Sequence, residues 1–306
     1  MKANYIIGLA LLSSLFWSCE KVEKLENFPL ESPKITMNCN LEENKDIVVE
    51  VTRSLSVIDG AQLKPITDAT VKILYVKNGT NISYTQQGSN DNQNGIEVYK
   101  LSVKPEPGIM YRIEVSSKKY GNVWAESTLP QAVSLDTVVQ KIVDSSYRDY
   151  RDFGLDYVYL SINDANSSIK FKDNQNEENF YVLSQQIKVN KEISEGISIN
   201  SNIPGAEIIN GLIFFNDQTF NGKEYTIQYS WSSSVRLRDI DKDKIRATYT
   251  LTSVTKDYYQ YLVSYNYYLQ NQDNPFADPV QVYNNIVGGY GIFAGSASSY
   301  LSNVIK

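Results

Sequence analysis

Ala69-Thr70-Val71-Lys72-Ile73-Leu74-Tyr75-Val76-Lys77-Asn78-Gly79 decides the fold class. Ala69, Val71, Ile73 and Tyr75 occupy every second position, which puts them on one face of an extended chain. Asn78-Gly79 follows, a dipeptide that accepts positive φ and turns the chain back on itself. The same period holds at Ile47, Val49, Val51 and Leu55. Further strands are expected over 96–103, 110–116 and 123–128, with Trp124 alternating into the core. The polar loop 88–95, Pro105-Glu106-Pro107-Gly108 and Lys118-Lys119-Tyr120-Gly121 separate them. Strands of this length with turns this frequent predict a β-sandwich of about a hundred residues, Ig-like or transthyretin-like, over 34–130. Pro130 closes it.

A second β-rich domain is expected over 131–306, with strands at 135–143, 156–163, 179–189, 210–215, 223–231 and 244–253. One amphipathic helix is expected near the C-terminus, at about 255–271. Thr255 can cap it and Asp257 suits its first turn. Val254, Tyr258, Tyr261, Leu262, Tyr265, Tyr268 and Leu269 recur at spacings of three and four, the pattern of one apolar helix face. Asp273-Asn274-Pro275 stops it. An extended segment, Val280-Gln281-Val282-Tyr283, follows. The glycines of Gly288-Gly289-Tyr290-Gly291-Ile292-Phe293-Ala294-Gly295 then predict close backbone approach beside a final strand.

Outward from this β body, the N-terminus reads as an address. Lys2 precedes an apolar run from Tyr5 to Trp17, and charge begins immediately after Ser18-Cys19. The run is too short to span a bilayer and fits a secretory signal segment over 1–18. A small residue before Cys at the hydrophobic–polar boundary marks Cys19 for lipidation, with enough buried methylenes for stable anchoring. An ordinary signal peptide is the competing reading. Phe16 and Trp17 fit its small-residue cleavage pattern poorly, and they fit the stricter lipidation patterns poorly too, though looser ones tolerate bulky residues there. Residues 19–33, rich in alternating Glu and Lys and ending at Pro33, read as a flexible tether.

The 306 residues contain no histidine and two cysteines, with a net charge of −6. Without histidine the commonest general base and the commonest transition-metal ligand are missing. Zinc sites and Ser-His or Cys-His nucleophiles are therefore excluded. No cofactor, metal or catalytic residue is assigned. With Cys19 lipidated, Cys39 is a lone thiol, expected to be buried. The acidic balance without basic clusters argues against nucleic acid. Asp239-Ile240-Asp241-Lys242-Asp243 alternates like a calcium loop, but Lys244 and Thr250 stand where an EF-hand wants Gly and Glu, so it reads as a solvated turn. Carboxylate-pair hydrolysis stays open in principle, with no pair distinguished by sequence.

Twenty-three tyrosines are many for this length. Tyrosine suits half-buried β surfaces, so most are expected in sheets and along the helix. The remainder offer aromatic platforms for a ligand or partner. Tyr259 and Tyr267 lie off the main apolar face of the expected helix, and Trp231 lies near a strand end. These three are the candidate contacts.

Several stretches together resemble a known family. They are Ser54 to Gly60, Pro107 to Val115, Asn216 to Tyr225, Asp257-Tyr258-Tyr259-Gln260-Tyr261-Leu262, Asp273 to Asp278, Pro279-Val280 and Gly289-Tyr290-Gly291-Ile292-Phe293. The family is one of Bacteroidota outer-membrane lipoproteins, known as domain of unknown function 4249 (DUF4249). Lys256 departs from it, standing where an acidic residue is usual. The resemblance implies a lipid anchor at Cys19 and an outer-membrane location, on the periplasmic or the cell-surface face. It implies work beside a TonB-dependent receptor in nutrient uptake, with a nutrient as possible ligand, and supplies no catalytic residues. The expected function is a non-enzymatic accessory or binding partner of such a receptor. The alternative is a structural or adhesion-like surface lipoprotein that binds another protein through β-sandwich modules.

Overall fold

Ile35, Met37, Cys39 and Leu41 alternate with residues of the opposite face and are buried, as are Ile47, Val49 and Val51 in the next strand. Each such side chain removed from water contributes about 1.5–3 kcal/mol, and this alternation sets which face of every strand turns inward. The computed structural model describes residues 32–56, 62–175, 177–190, 192–193, 197–201, 203–239, 244–274 and 276–305. The signal segment, Cys19, most of the Glu/Lys tether and Ile240 to Asp243 of the acidic turn lie outside the described residues.

The chain runs β1 (Ile35–Glu42), β2 (Ile47–Arg53), β3 (Thr70–Lys77), β4 (Thr80–Gln87), β5 (Asp91–Gln93), β6 (Ile96–Leu101), β7 (Met110–Ser117) and β8 (Gly121–Thr128). It continues through β9 (Leu135–Asp149), β10 (Val158–Lys172), β11 (Phe180–Val189), β12 (Glu192–Ile193), β13 (Ile197–Asn200), β14 (Glu207–Ile209) and β15 (Leu212–Asn216). Last come β16 (Glu224–Leu237), β17 (Ile245–Val254), helix α1 (Lys256–Asn271) and β18 (Tyr290–Val304). The protein is mainly β, with three sheets and one helix among the described residues.

The largest sheet has the order β14-β15-β11-β17-β18-β1-β2-β6-β5, with β12 paired to β11. Sheet β4-β3-β7-β8 covers its β1-β2-β6 half, and Val71, Ile73, Ile113 and Val123 meet Met37, Val49 and Tyr99 in a first core. Sheet β13-β16-β10-β9 covers its β11-β17 half, enclosing Phe171, Tyr181, Trp231, Leu251 and their neighbours in a second core. The expected Asn78-Gly79 turn is present: both residues have positive φ (52° and 75°) and join β3 to β4 by a two-residue loop.

Along the first part of the chain the two cores divide between Leu129 and Val133, beside Pro130, and Ile286 and Phe293 return to the first core. One sheet nevertheless backs both, because β18 pairs parallel with β1 (Cys39 opposite Phe293) and antiparallel with β17 (Leu251 opposite Ser299). The close approach expected of the late glycines occurs here. A Cβ on Gly291 would lie 2.1 Å from the Met37 carbonyl oxygen, and one on Gly289 would lie 2.4 Å from that of Ile35.

Three expectations need correction. β9, β10 and β16 run well beyond the expected strands, and the polar stretch Asp164 to Ser168, past the end of the expected strand 156–163, lies inside β10. A bulge between Ile162 and Ala165 absorbs part of it, and buried Ser167 is satisfied by Trp231 Nε1 (2.9 Å) and the Tyr249 hydroxyl (3.0 Å). Trp231 is thereby a core residue, 2% exposed, and not a surface contact. Trp124 is the converse: Val123 and Ala125 take the inward positions, and Trp124 faces out beneath the Arg112 guanidinium, 3.9 Å from its ring centroid.

Candidate functional site

Helix α1 lies on the face of the large sheet opposite the second core. Thr255 caps it, accepting from Tyr258 N at 3.3 Å, and its own N–H donates to the Gly295 carbonyl at 3.0 Å, which ties the helix start to β18. Tyr258, Tyr259, Leu262 and Val263 pack on Phe180, Val182, Ile209, Phe214 and Val254. β11 is consequently buried on both faces at Phe180 to Leu183.

This seating differs from the apolar face expected from sequence. Tyr265, Tyr268 and Leu269 are exposed, while Tyr259 points inward, 5.2 Å from the Phe180 ring and 5.9 Å from that of Phe214. Phe180 and Phe214 supply the reason: they present a shelf that a second aromatic ring fills. Tyr258, Tyr261, Tyr265 and Tyr268 instead stack on one another along the helix flank, with centroids 5.7–6.4 Å apart. Tyrosine tolerates that position because its hydroxyl reaches water while its ring covers its neighbour.

After α1 the chain doubles back along the helix. Tyr283 N donates to Ser264 Oγ at 2.8 Å, and the Tyr283 hydroxyl donates to Asp257 Oδ1 at 2.6 Å. Between helix and returning segment lies a groove of about 650 Å³, lined on the helix by Tyr259, Val263 and Tyr267, on the segment by Val280 to Asn284, and at one end by Glu207 of β14. The Tyr267 hydroxyl donates to Glu207 Oε2 at 2.7 Å, and that acceptor, ahead of partial burial, raises the Tyr267 pKa. Burial pushes Tyr259 up to about 12, with the Glu207 charge adding to it, and burial with the Asp257 bond does the same for Tyr283. All three phenols stay protonated, and those of Tyr267 and Tyr283 donate to these carboxylates.

Of the three contacts named from sequence, Tyr259 and Tyr267 thus meet in one groove, and Trp231 does not. Sequence reasoning missed Val263 and Glu207. Val263 had a signal, since Tyr259, Val263 and Tyr267 are spaced by four along one helix stripe. Glu207 had none, because it arrives from a strand more than fifty residues upstream.

The second core contains a carboxylate pair. Buried Asp173 accepts from the Tyr181 hydroxyl and from Gly222 N (2.7 Å), and buried Asp217 accepts from Asn179 Nδ2 at 3.2 Å. Both carboxylates are closed against solvent and tie neighbouring segments together, Asp173 to Tyr181 and Gly222 and Asp217 to Asn179, which makes them structural pins. Burial first, and the Asp217 charge after it, hold the Asp173 carboxyl above its usual range. Among the described residues no cluster of three or more His, Cys, Asp or Glu side chains is placed to hold a metal ion. No helix among them is long and apolar enough to cross a membrane.

These features define a three-sheet β protein that carries a helix-bordered groove on the back of its main sheet. The chain belongs to the family described as Domain of unknown function (DUF4249), whose model matches residues 22–301. No curated protein matches it.

Proposed function

We infer that this protein is an outer-membrane lipoprotein anchored through Cys19, serving as a non-enzymatic accessory or binding partner of a TonB-dependent receptor in nutrient uptake. The observation that carries the binding role is the groove, where Tyr259, Val263 and Tyr267 face the strand-like segment Val280 to Tyr283 across about 650 Å³. Support for the anchor is the sequence Ser18-Cys19 at the end of an apolar run, followed by a charged tether. Support for a non-enzymatic role is the lack of histidine and the enclosure of the Asp173 and Asp217 carboxylates.

Purification of the full chain in mild detergent, followed by mass spectrometry, tests the reading. Stoichiometric recovery of a barrel receptor is the expected result, and recovery of the protein alone overturns it. Recovery with matrix proteins instead would favour an adhesion-like role. That second reading draws on the exposed aromatic end of the β9–β10 hairpin, where Tyr150, Phe153, Tyr157 and Tyr159 contact one another and Phe153 is 77% exposed. For the anchor, Cys19→Ser is expected to abolish lipid labelling and membrane association, and a variant that stays on the membrane contradicts it.

A further inference from the structure

We propose that the groove beside α1 binds an extended peptide, which adds as a strand along Val280 to Val282. The proposal rests on the binding role above and names its ligand class.

The segment is built like a strand and lacks a neighbour. Val280 and Val282 are half-buried while Gln281 between them is exposed, the alternation of a β-strand. Downstream the same segment does pair, Val287 and Trp124 exchanging backbone hydrogen bonds at 2.9 and 3.3 Å. At Val280, Gln281 and Val282 the backbone makes no hydrogen bond to any described residue. A segment with strand-like alternation and open backbone donors and acceptors beside an apolar floor is a template for strand addition.

The polar side chains of the groove argue the same way, because most are already committed inside the protein. The Tyr267 hydroxyl is held by Glu207, and the Asn284 amide by Gly289 O and Ile286 N. Ser264 donates to Tyr261 O and accepts from Tyr283 N. An oligosaccharide needs free side-chain donors and acceptors around an open aromatic face, and of the lining only Gln260, Gln281 and the Tyr259 hydroxyl keep theirs uncommitted among the described residues. A peptide needs backbone partners and apolar seats for alternate side chains, which Val263, Val280 and Val282 supply. Glu207 at one end and exposed Asp278 just before the segment favour a basic residue in the ligand.

The test uses full-chain protein immobilised in detergent and two probes: the tryptic peptides of casein, each internal one ending in Lys or Arg, and a mixture of malto-, cello- and xylo-hexaose. Retention of a subset of the peptides, and of none of the sugars, is expected. Gln281→Pro removes one backbone donor and is expected to weaken retention about tenfold. Val263→Trp fills the floor and is expected to abolish it. Tyr265→Ala, on the outer flank of the helix, is expected to leave it unchanged. Circular dichroism and urea midpoints accompany each variant, and N-methylation of a retained peptide at alternate amides gives a readout that alters no protein residue. Retention of sugars, peptide retention indifferent to both groove variants and to N-methylation, or retention of neither pool overturns the proposal. Receptor recovery is scored in the same preparations, so loss of the ligand class and loss of the receptor role are read separately.

Discussion

The Asn285 side chain reaches Asp257 across 28 residues of chain, its Nδ2 donating to Oδ2 at 2.9 Å. The same amide donates to Phe293 O (2.8 Å), and its Oδ1 accepts from Phe293 N (2.9 Å). One side chain therefore fastens the first turn of α1, the returning segment and β18. Asn285→Ala removes all three bonds and leaves the Phe293 backbone groups without partners. The expected cost is about 2–4 kcal/mol, read from urea unfolding. Faster amide exchange at Phe293 and Tyr283 is expected with it. A variant with wild-type stability and protected amides would show that the segment is held by other means.

Gly291 stands where β18 passes β1 most closely. Its φ of 112° is outside the range an L side chain adopts readily, and a Cβ there would meet Met37 O at 2.1 Å. The obstacle is backbone in a paired strand, which a rotamer change cannot move. Gly291→Ala is expected to cost about 3–5 kcal/mol by strain and overpacking together. Gly108→Ala is the comparison: it shares a positive φ but meets nothing within 4 Å, so it is expected to cost only about 1–2 kcal/mol. Equal costs at the two positions would remove the argument that strand contact dictates Gly291.

Cys39 lies in β1 with 4% exposure, and burial, with the Glu50 charge adding to it, pushes its thiol far above the ordinary range. The thiolate is the reactive species, so native protein at pH 8 is expected to resist iodoacetamide and to take one label at Cys39 once unfolded in urea. Intact-mass measurement reads both states. Rapid labelling of native protein would contradict the packing of β1 between β2 and β18.

What the sequence made legible follows from period. Strands with one buried face, such as Ile47 to Arg53 and Thr70 to Lys77, announce themselves by alternation, and Asn78-Gly79 announces its turn because so few dipeptides take positive φ twice. β11 is harder, since Phe180 to Leu183 is buried on both faces and alternation vanishes. The Asp164 to Ser168 stretch falls beyond the expected strand because it is polar, and its buried hydroxyl at Ser167 finds its partners only in Trp231 and Tyr249, residues 64 and 82 positions away. The β1–β18 pairing joins residues some 250 apart, beyond any local pattern. The groove was legible by half: Tyr259 and Tyr267 stood out from the apolar stripe, while Glu207 and the open backbone of Val280 to Val282 exist as partners only after the sheet has formed.

Asp173 links acidity to stability. Its carboxyl is held above the ordinary value of 3.8, chiefly by burial. A carboxyl with a raised folded pKa binds its proton more tightly folded than unfolded, so protonation favours the fold. That contribution is complete below the unfolded pKa and is lost as pH rises through the folded one. At neutral pH the ionised Asp173 is a net cost, partly offset by the bonds from Tyr181 and Gly222 N. Asp173→Asn keeps an acceptor and removes the titration. The wild-type protein is therefore expected to gain stability relative to this variant as pH falls from 7 toward 4. Exposed Asp68, whose pKa is lowered first by its bond from Ser117, titrates with the opposite sign, but it is common to both proteins and cancels in the difference. Urea midpoints of the pair at several pH values read the effect. A difference that stays flat, or that moves against the wild type on acidification, would mean that the bonds from Tyr181 and Gly222 outweigh the burial of the charge.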